Sequence, residues 1–398
     1  MICAICKYSE FKSFKYQIFS SEMLSWLRHC RGLRGKDNVD SWSRTMLSSF
    51  EARVTLVLGN MACDLDSGVS SLVLAFHRAS SSHKERSVVP VMNIPRQDWP
   101  LKTELVAALD EEGVTEELLV FRDDLDLNRI PDLQLILVDH NVLSDDDRHH
   151  EDKVVEIIDH HVKESRCENS IIETVGSCSS LVLRQIWKEK PDFMDETCLR
   201  LVHATILVDT VVLNPEAKKV TPLDIENVEK CEELLGSKKN RDEIYKHLDD
   251  AKRRVVHLNT KQLLRRDFKT FFSKKYGKIC LSSVPMLAKE WMAWDANVVR
   301  NVKSFSKEEG FSAVIILGSS FKEGYKPERD IILANIQPRP DLYQDLTCAL
   351  ESSRDPPLQL ERISEMEKNP DNFIWYKQGN IGASRKQIMP IVKNALTL

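Results

Sequence analysis

From residue 54 onward the hydrophobic pattern alternates between short runs of strand length and longer runs at helical spacing. "VTLVL" (54–58) is a mostly apolar run ending at Gly59, and "SGVSSLVLAF" (67–76) continues with helical period, with Ser67 placed to cap it. "SVVPVMNI" (87–94), "LLVF" (118–121), "LQLILVD" (133–139) and "VVEIID" (154–159) predict further strands. "KTELVAALDEE" (102–112), "GSCSSLVLRQIWKEK" (176–190) and "DETCLRLVHATILVDT" (195–210) predict helices. Strands alternating with helices imply a parallel sheet covered on both faces, an α/β architecture.

A polar stretch with two prolines, "LNPEAKKVTPLDIENVEKCEELLG" (213–236), turns helical towards its end and reads as a linker. Beyond it a second α/β pattern begins. "KICLSSVPM", "FSAVIILGSS" and "DIILANIQ" predict strands, a long helix is predicted near 288–309, and a last helix starts at Ser384. The expected organisation is an N-terminal extension over 1–50, poorly ordered, a first domain over 51–212, a linker over 213–236 and a second, smaller α/β domain over 237–398. A length of 398 residues suits two domains better than one.

The composition removes some function classes. A net charge of -5 provides no basic field for nucleic acid. No apolar run approaches the roughly 20 residues needed to span a bilayer, so no membrane role is expected. Ten cysteines without a framework of spacings read as reduced thiols in a cytoplasmic protein. In the basic-leaning first fifty residues, Arg28, Arg31 and Arg34 suit a mitochondrial presequence, but Glu10 and Glu22 argue against one. Cys3 and Cys6 form a CxxC that no second pair with zinc-finger spacing follows.

Candidate chemistry gathers where predicted strands or helices end. Asp64 and Asp66 follow the first strand, Asp139 and His140 stand in "LVDHN", and Asp159, His160 and His161 in "IIDHH"; Asp209 ends a helix in "ILVDT". In open parallel sheets, sites gather outside the carboxyl ends of strands, so these groups should converge. Several carboxylates in one crevice require a cation. Carboxylate oxygens with one or two imidazoles suit Mn²⁺ or Mg²⁺, and Asp64 and Asp66 could face two different ions. "SDDDRHHED" (144–152) is metal-like in composition but lacks apolar support, and reads as a solvated loop.

The series DxD, VDHN, IDHH and a later VDT resembles the four motifs of the DHH phosphoesterase superfamily, which includes family II inorganic pyrophosphatases and exopolyphosphatases. "LLRRDFKTF" (263–271) and "GASRKQIMPIV" (382–392) resemble the two basic motifs of the companion DHHA2 domain. "LGNMACDLDS" is closest to the prune-type proteins of animals, with Asn60 where pyrophosphatases carry a metal-binding His. The resemblance covers about residues 54 to 398. It implies a parallel-sheet DHH domain and a DHHA2 domain with the active site in the cleft between them. It implies two divalent ions, Mn²⁺ or Mg²⁺, held by Asp64, Asp66, Asp139, His160 and Asp209, with Asp139 as the bridge. It further implies that His161 contacts the phosphoryl group and that Lys269, Arg385 and Lys386 form an electrophilic clamp. Asp159 is expected to orient His160, and His140 to do this or bind metal. Gly176 and Ser177 open a helix whose backbone amides could meet phosphate. With Asn60 in place of His, one metal should be held more weakly.

The implied activity is hydrolysis of the terminal phosphoanhydride of short inorganic polyphosphate by a hydroxide held between the metals. Pyrophosphatase and cyclic-nucleotide phosphodiesterase activity are the alternatives within the enzyme class. Outside it stands a regulatory module that binds a partner such as nucleoside diphosphate kinase.

Overall fold

The computed structural model describes residues 22–32, 53–81, 86–236, 240–255, 258–320, 328–334, 339–363 and 373–397. Cys3, Cys6, Glu10 and Arg34 lie outside the described residues. The chain divides into two compact units: unit 1 comprises Met1–Arg96 and Glu104–Leu248, unit 2 Gln97–Thr103 and Asp249–Leu398.

Unit 1 opens with helix α1 (Glu22–Gly32). Met23 and Leu27 are fully buried, the Trp26 ring lies 5.6 Å from that of Phe76, and the Met23 N–H donates to Asp195. The expectation of a poorly ordered extension therefore does not hold for these residues, because a helix with an apolar face has a surface to dock on. Strand β1 (Arg53–Leu58) leads to helix α2 (Leu65–Ser81), strand β2 (Ser87–Met92), helix α3 (Thr103–Glu111) and strand β3 (Val120–Phe121). Strands β4 (Asp132–Val138), β5 (Val154–Asp159) and β6 (Ser170–Ile172) follow, then helices α4 (Cys178–Glu189) and α5 (Glu196–Asp209).

The six strands are all parallel, in the order β3-β2-β1-β4-β5-β6. Alternate residues of β1 and β4, namely Val54, Leu56, Leu58, Leu133, Leu135 and Leu137, pack in one cluster. Burial of each such side chain stabilises the fold by roughly 1.5–3 kcal/mol. The chain order reverses at β1, between β2 and β4, which marks the switch point where an open sheet leaves a crevice.

The expected linker folds. Residues 222–235 form helix α6 (Pro222–Leu235), with Pro222 in its first turn, a Thr221–Asp224 capping box and Gly236 at φ 60° closing its end. Asp224 is fully buried and accepts from the Gly176 N–H at 2.9 Å and the Ser180 hydroxyl at 2.6 Å; Asn227 donates to the Ser180 carbonyl. Asp224, Asn227 and Glu232 are polar but buried, while Glu226, Glu229 and Glu233 of the same helix are exposed. "SDDDRHHED" is largely exposed, as expected of a solvated loop, with two anchored residues. A 3-10 turn spans Arg148–Lys153, His150 is buried, and Asp147 pairs with Arg122.

Helix α7 (Arg241–Arg253) contains the boundary between the units. Unit 2 continues with α8 (Thr260–Arg266), β7 (Phe268–Ser273) and β8 (Gly277–Val284). The predicted long helix is two, α9 (Ala288–Trp294) and α10 (Val298–Glu309), broken where Asp295 accepts from the Asn297 N–H, Thr260 and Asn301. Then come β9 (Ala313–Ser320), β10 (Glu328–Ala334), α11 (Pro340–Glu351), β11 (Leu360–Arg362), β12 (Phe373–Gln378) and α12 (Arg385–Thr397). The sheet order is β11-β12-β10-β9-β8-β7, with β8 and β9 its parallel pair. Among the described residues, no helix is long and apolar enough to cross a membrane.

Candidate active site

The loop leaving β1 is shaped by close backbone approach. A Cβ on Gly59 would stand 2.3 Å from the Ser67 hydroxyl, so only glycine fits there. The Ser67 hydroxyl accepts from the Asn60 N–H at 2.6 Å, which binds it to the loop. The cap of α2 is instead Asp64, whose Oδ1 accepts from the Ser67 N–H at 3.1 Å. Asn60 Oδ1 accepts from the N–H groups of Ala62 and Cys63, and its Nδ2 donates to Asp139 Oδ2 at 2.7 Å.

The two aspartates of the DxD separate in environment. Asp64 is exposed, whereas Asp66 is 4% exposed. Asp66 Oδ1 accepts from the Ser179 N–H, the Ser179 hydroxyl and the Ser70 hydroxyl, and its Oδ2 accepts from the Cys178 N–H at 2.6 Å. This carboxylate therefore closes the N-terminus of α4, where the helix dipole favours it. The Gly176 N–H goes to Asp224. Three of the amides expected to meet phosphate near Gly176 and Ser177 are thus taken by carboxylates of the chain itself. A Cβ on Gly176 would stand 2.5 Å from Thr210, so packing requires this glycine.

Asp139 follows β4 with φ 60° and is 3% exposed. His160 Nε2 lies 3.1 Å from its Oδ1 and 3.9 Å from Asp66 Oδ2. Apart from this His160 contact, Asp139 Oδ1 is a buried acceptor with no hydrogen-bond donor, as is Asp209 Oδ2 at the end of α5. Burial, with the charges of Asp66 and Asp64, pushes the Asp139 carboxyl up to about 7 against the opposing effect of His160. Burial and the same acidic neighbours raise Asp209 well above the usual carboxylate range. Burial opposes the His160 imidazolium, but Asp139 and Asp66 outweigh it and push its pKa up to about 9. Ligand atoms of Asp139, His160 and His161 all fall within 4.8 Å of one another.

This donor set fits a divalent cation. Buried carboxylate oxygens without donors need a positive charge, and carboxylate oxygen with imidazole nitrogen is a ligand set for a divalent cation. The His160 Nδ1 faces the Val175 carbonyl at 3.1 Å, so Nδ1 carries a proton, and a bound cation would take the place of the Nε2 proton that otherwise faces the carboxylates. With Asn60 occupying Asp139 Oδ2, Oδ1 is the oxygen left for a cation.

Asp159 does not orient His160 through its ring. Its Oδ1 accepts from the ring Nδ1 of His161 at 2.8 Å and from the N–H groups of both His160 and His161. His161 follows a fully buried Asp but is itself half exposed. His140 Nδ1 faces the Val138 carbonyl at 2.9 Å, and burial lowers its pKa. Asn141 and Asp224, not singled out from the sequence, are the buried polar groups that tie this region together. Asn141 could have been found, since it stands inside the "VDHN" run.

In unit 2, Lys269 is exposed on β7 and Lys386 is exposed in the first turn of α12. Arg385 donates to the Asp267 carbonyl and pairs with its carboxylate, each at 2.7 Å.

The model of the DHH family N-terminal domain matches residues 54–208, and that of the DHHA2 domain matches residues 246–395. Exopolyphosphatase PRUNE1 of Homo sapiens is 35% identical over 349 residues, covering 86% of this chain and 75% of that protein. Exopolyphosphatase PRUNE1 of Bos taurus is 35% identical over 351 residues, covering 86% and 76%. Protein prune homolog 2 of Mus musculus is 27% identical over 350 residues, covering 86% of this chain and 11% of that protein.

Proposed function

Since the chain belongs to the DHH family, in the branch of the PRUNE1 exopolyphosphatases with their DHHA2 domain, we propose that it is a divalent-metal phosphohydrolase removing terminal phosphate from short inorganic polyphosphate. The observation that supports this most is the buried Asp139 Oδ1, with no hydrogen-bond donor apart from its contact with His160 Nε2 at 3.1 Å. Asp139, His160, Asp66 Oδ2, Asp209 Oδ2 and the exposed Asp64 are the proposed metal-holding groups. Bound divalent cations neutralise phosphate oxygens and lower the pKa of water.

The chain's own residues do the rest. Asp159 holds the Nδ1 proton of His161, which leaves Nε2 of this half-exposed ring to meet a phosphate oxygen and carry a proton. Lys269, Lys386 and Arg385 are the proposed phosphoryl-binding cations. Because Arg385 is committed to Asp267, the two exposed ammonium groups are the freer donors.

The test is hydrolysis by the full chain with Mn²⁺ or Mg²⁺ of tripolyphosphate, pyrophosphate and cyclic AMP in parallel, read as phosphate release for the first two and as AMP formation for the third. Metal-dependent release from tripolyphosphate, lost in Asp139→Asn, is expected. Cleavage of cyclic AMP alone would replace the substrate, and no turnover of any of the three would leave the binding-module reading in its place.

A further inference from the structure

Directly after His161 the chain enters a segment with little apolar anchorage, in which Val162 is 83% exposed. Beneath it lies Asn141, 6% exposed, whose amide is used completely. Nδ2 donates to Asp159 Oδ2 at 2.5 Å and to the Val162 carbonyl at 3.0 Å; Oδ1 accepts from the N–H groups of Glu164 at 2.8 Å and Ser165 at 3.1 Å. These four bonds exhaust what an asparagine side chain typically forms.

Asp159 joins this amide to the imidazole. Its Oδ2 takes the Asn141 amide and its Oδ1 lies 2.8 Å from His161 Nδ1, so the carboxylate oxygen is the acceptor, Nδ1 the donor, and Nε2 the nitrogen left without a proton. His160 is held differently, by the Val175 carbonyl on the segment leading into α4. Loss of Asn141 should therefore disturb one histidine of the adjacent pair and spare the other.

We propose that Asn141 is a positioning residue for His161, fixing the tautomer and direction of its imidazole through Asp159 and through the backbone of residues 162–165. The consequence for turnover rests on the phosphohydrolase reading above; the structural consequence does not. Removal of outer partners of this kind typically costs about 10- to 100-fold in activity or metal affinity.

The experiment combines histidine side-chain nitrogen NMR on the ¹⁵N-labelled full chain with turnover of tripolyphosphate. Signals are assigned with His161→Asn and His160→Asn. In the wild type, His161 should show a single Nδ1–H tautomer. In Asn141→Ala, His161 should become a tautomer mixture while His160 keeps its pattern, and kcat should fall about 10- to 100-fold with KM little changed. Should Asn141→Ala not fold, Asn141→Asp keeps an acceptor for the Glu164 and Ser165 amides but cannot donate to Asp159. The same loss of the His161 signature is expected from it. An unchanged His161 tautomer in the folded variant overturns the proposal, even if turnover falls. A changed tautomer in a chain whose wild type releases no phosphate sustains the positioning role and removes the substrate reading alone.

Discussion

The side-chain amide of Asn60 donates to Asp139 Oδ2 at 2.7 Å, while Oδ1 of the same carboxylate is buried with no hydrogen-bond donor apart from the His160 contact. One oxygen is thus held by a neutral donor and the other remains for a cation. An imidazole at position 60 would be a ligand in its own right and would release Oδ2. Asn60→His is predicted to tighten divalent-ion binding and to raise pyrophosphate cleavage relative to tripolyphosphate. A modest fall in melting temperature should accompany it, since the Ala62 and Cys63 amides lose the Asn60 side-chain oxygen that accepts from both. Calorimetric metal affinity and substrate ratios both unchanged would show that position 60 does not govern the site.

Asp139→Asn is predicted to abolish turnover and most Mn²⁺ binding with the fold retained. The substituted amide keeps the shape but removes the charge that burial and the neighbouring Asp66 already disfavour. Isothermal titration with Mn²⁺ on the folded variant is the check. Wild-type affinity would remove Asp139 from the metal-holding groups.

Asp224→Ala is predicted to be among the most destabilising single changes in unit 1. Its carboxylate is fully buried and accepts from Gly176, Ser180 and both the N–H and hydroxyl of Thr221. Each buried donor left unmade costs about 1–3 kcal/mol. Thermal unfolding should show a drop of many degrees, or the variant should fail to accumulate as folded protein; a shift of a degree or two would refute the assignment of α6 to the fold.

The case of Asp224 shows what the sequence could and could not reveal. Strand ends are legible because apolar runs stop at them, and the order of DxD, VDHN and IDHH marks the carboxyl edge of the sheet. The helical end of 213–236 is legible, but the burial of Asp224 and Asn227 is not, since they look like solvated residues until their partners at Gly176 and Ser180 are known. For the same reason Ser67 seemed a cap, when its hydroxyl in fact serves the Asn60 N–H. Asp159 meets the ring of His161 but only the backbone N–H of His160, and adjacent rings differ in direction by rotamer and not by spacing. β6, at three residues, is too short to leave a period at all.

Acid stability should depend on Glu232. Arg241, bonded at 2.7 and 2.8 Å, outweighs burial and with His203 lowers its carboxyl to about 2. A depressed carboxyl contributes stability that is complete above its unfolded pKa of about 4 and is lost as pH falls towards the folded value. Glu232→Gln should therefore lower the melting temperature at pH 7, by about 1–3 kcal/mol of stability, and the gap should close between pH 4 and 2. A gap independent of pH would mean that packing and not charge is responsible.

Lys386 and Arg385 are neighbours in the first turn of α12, yet only one of them is tied down. Arg385 holds both the carbonyl and the carboxylate of Asp267 at the start of β7, so its removal should loosen unit 2 as well as any phosphate contact. Lys386 is exposed, and its loss should leave packing untouched. Lys386→Ala is therefore predicted to lower kcat/KM for tripolyphosphate steeply at constant melting temperature and constant Mn²⁺ affinity. Loss of one preorganised donor to a developing charge costs on the order of 10²–10³ in rate. Arg385→Ala should lower both turnover and melting temperature, and Arg385→Lys should recover only part of each, because an ammonium cannot reproduce two bonds of a planar fork. Turnover, titration with Mn²⁺ and melting curves on the three variants separate the roles. If Lys386→Ala turns over like the wild type while Arg385→Ala merely melts earlier, α12 is a packing element, and phosphate recognition must be sought in other cations of the chain.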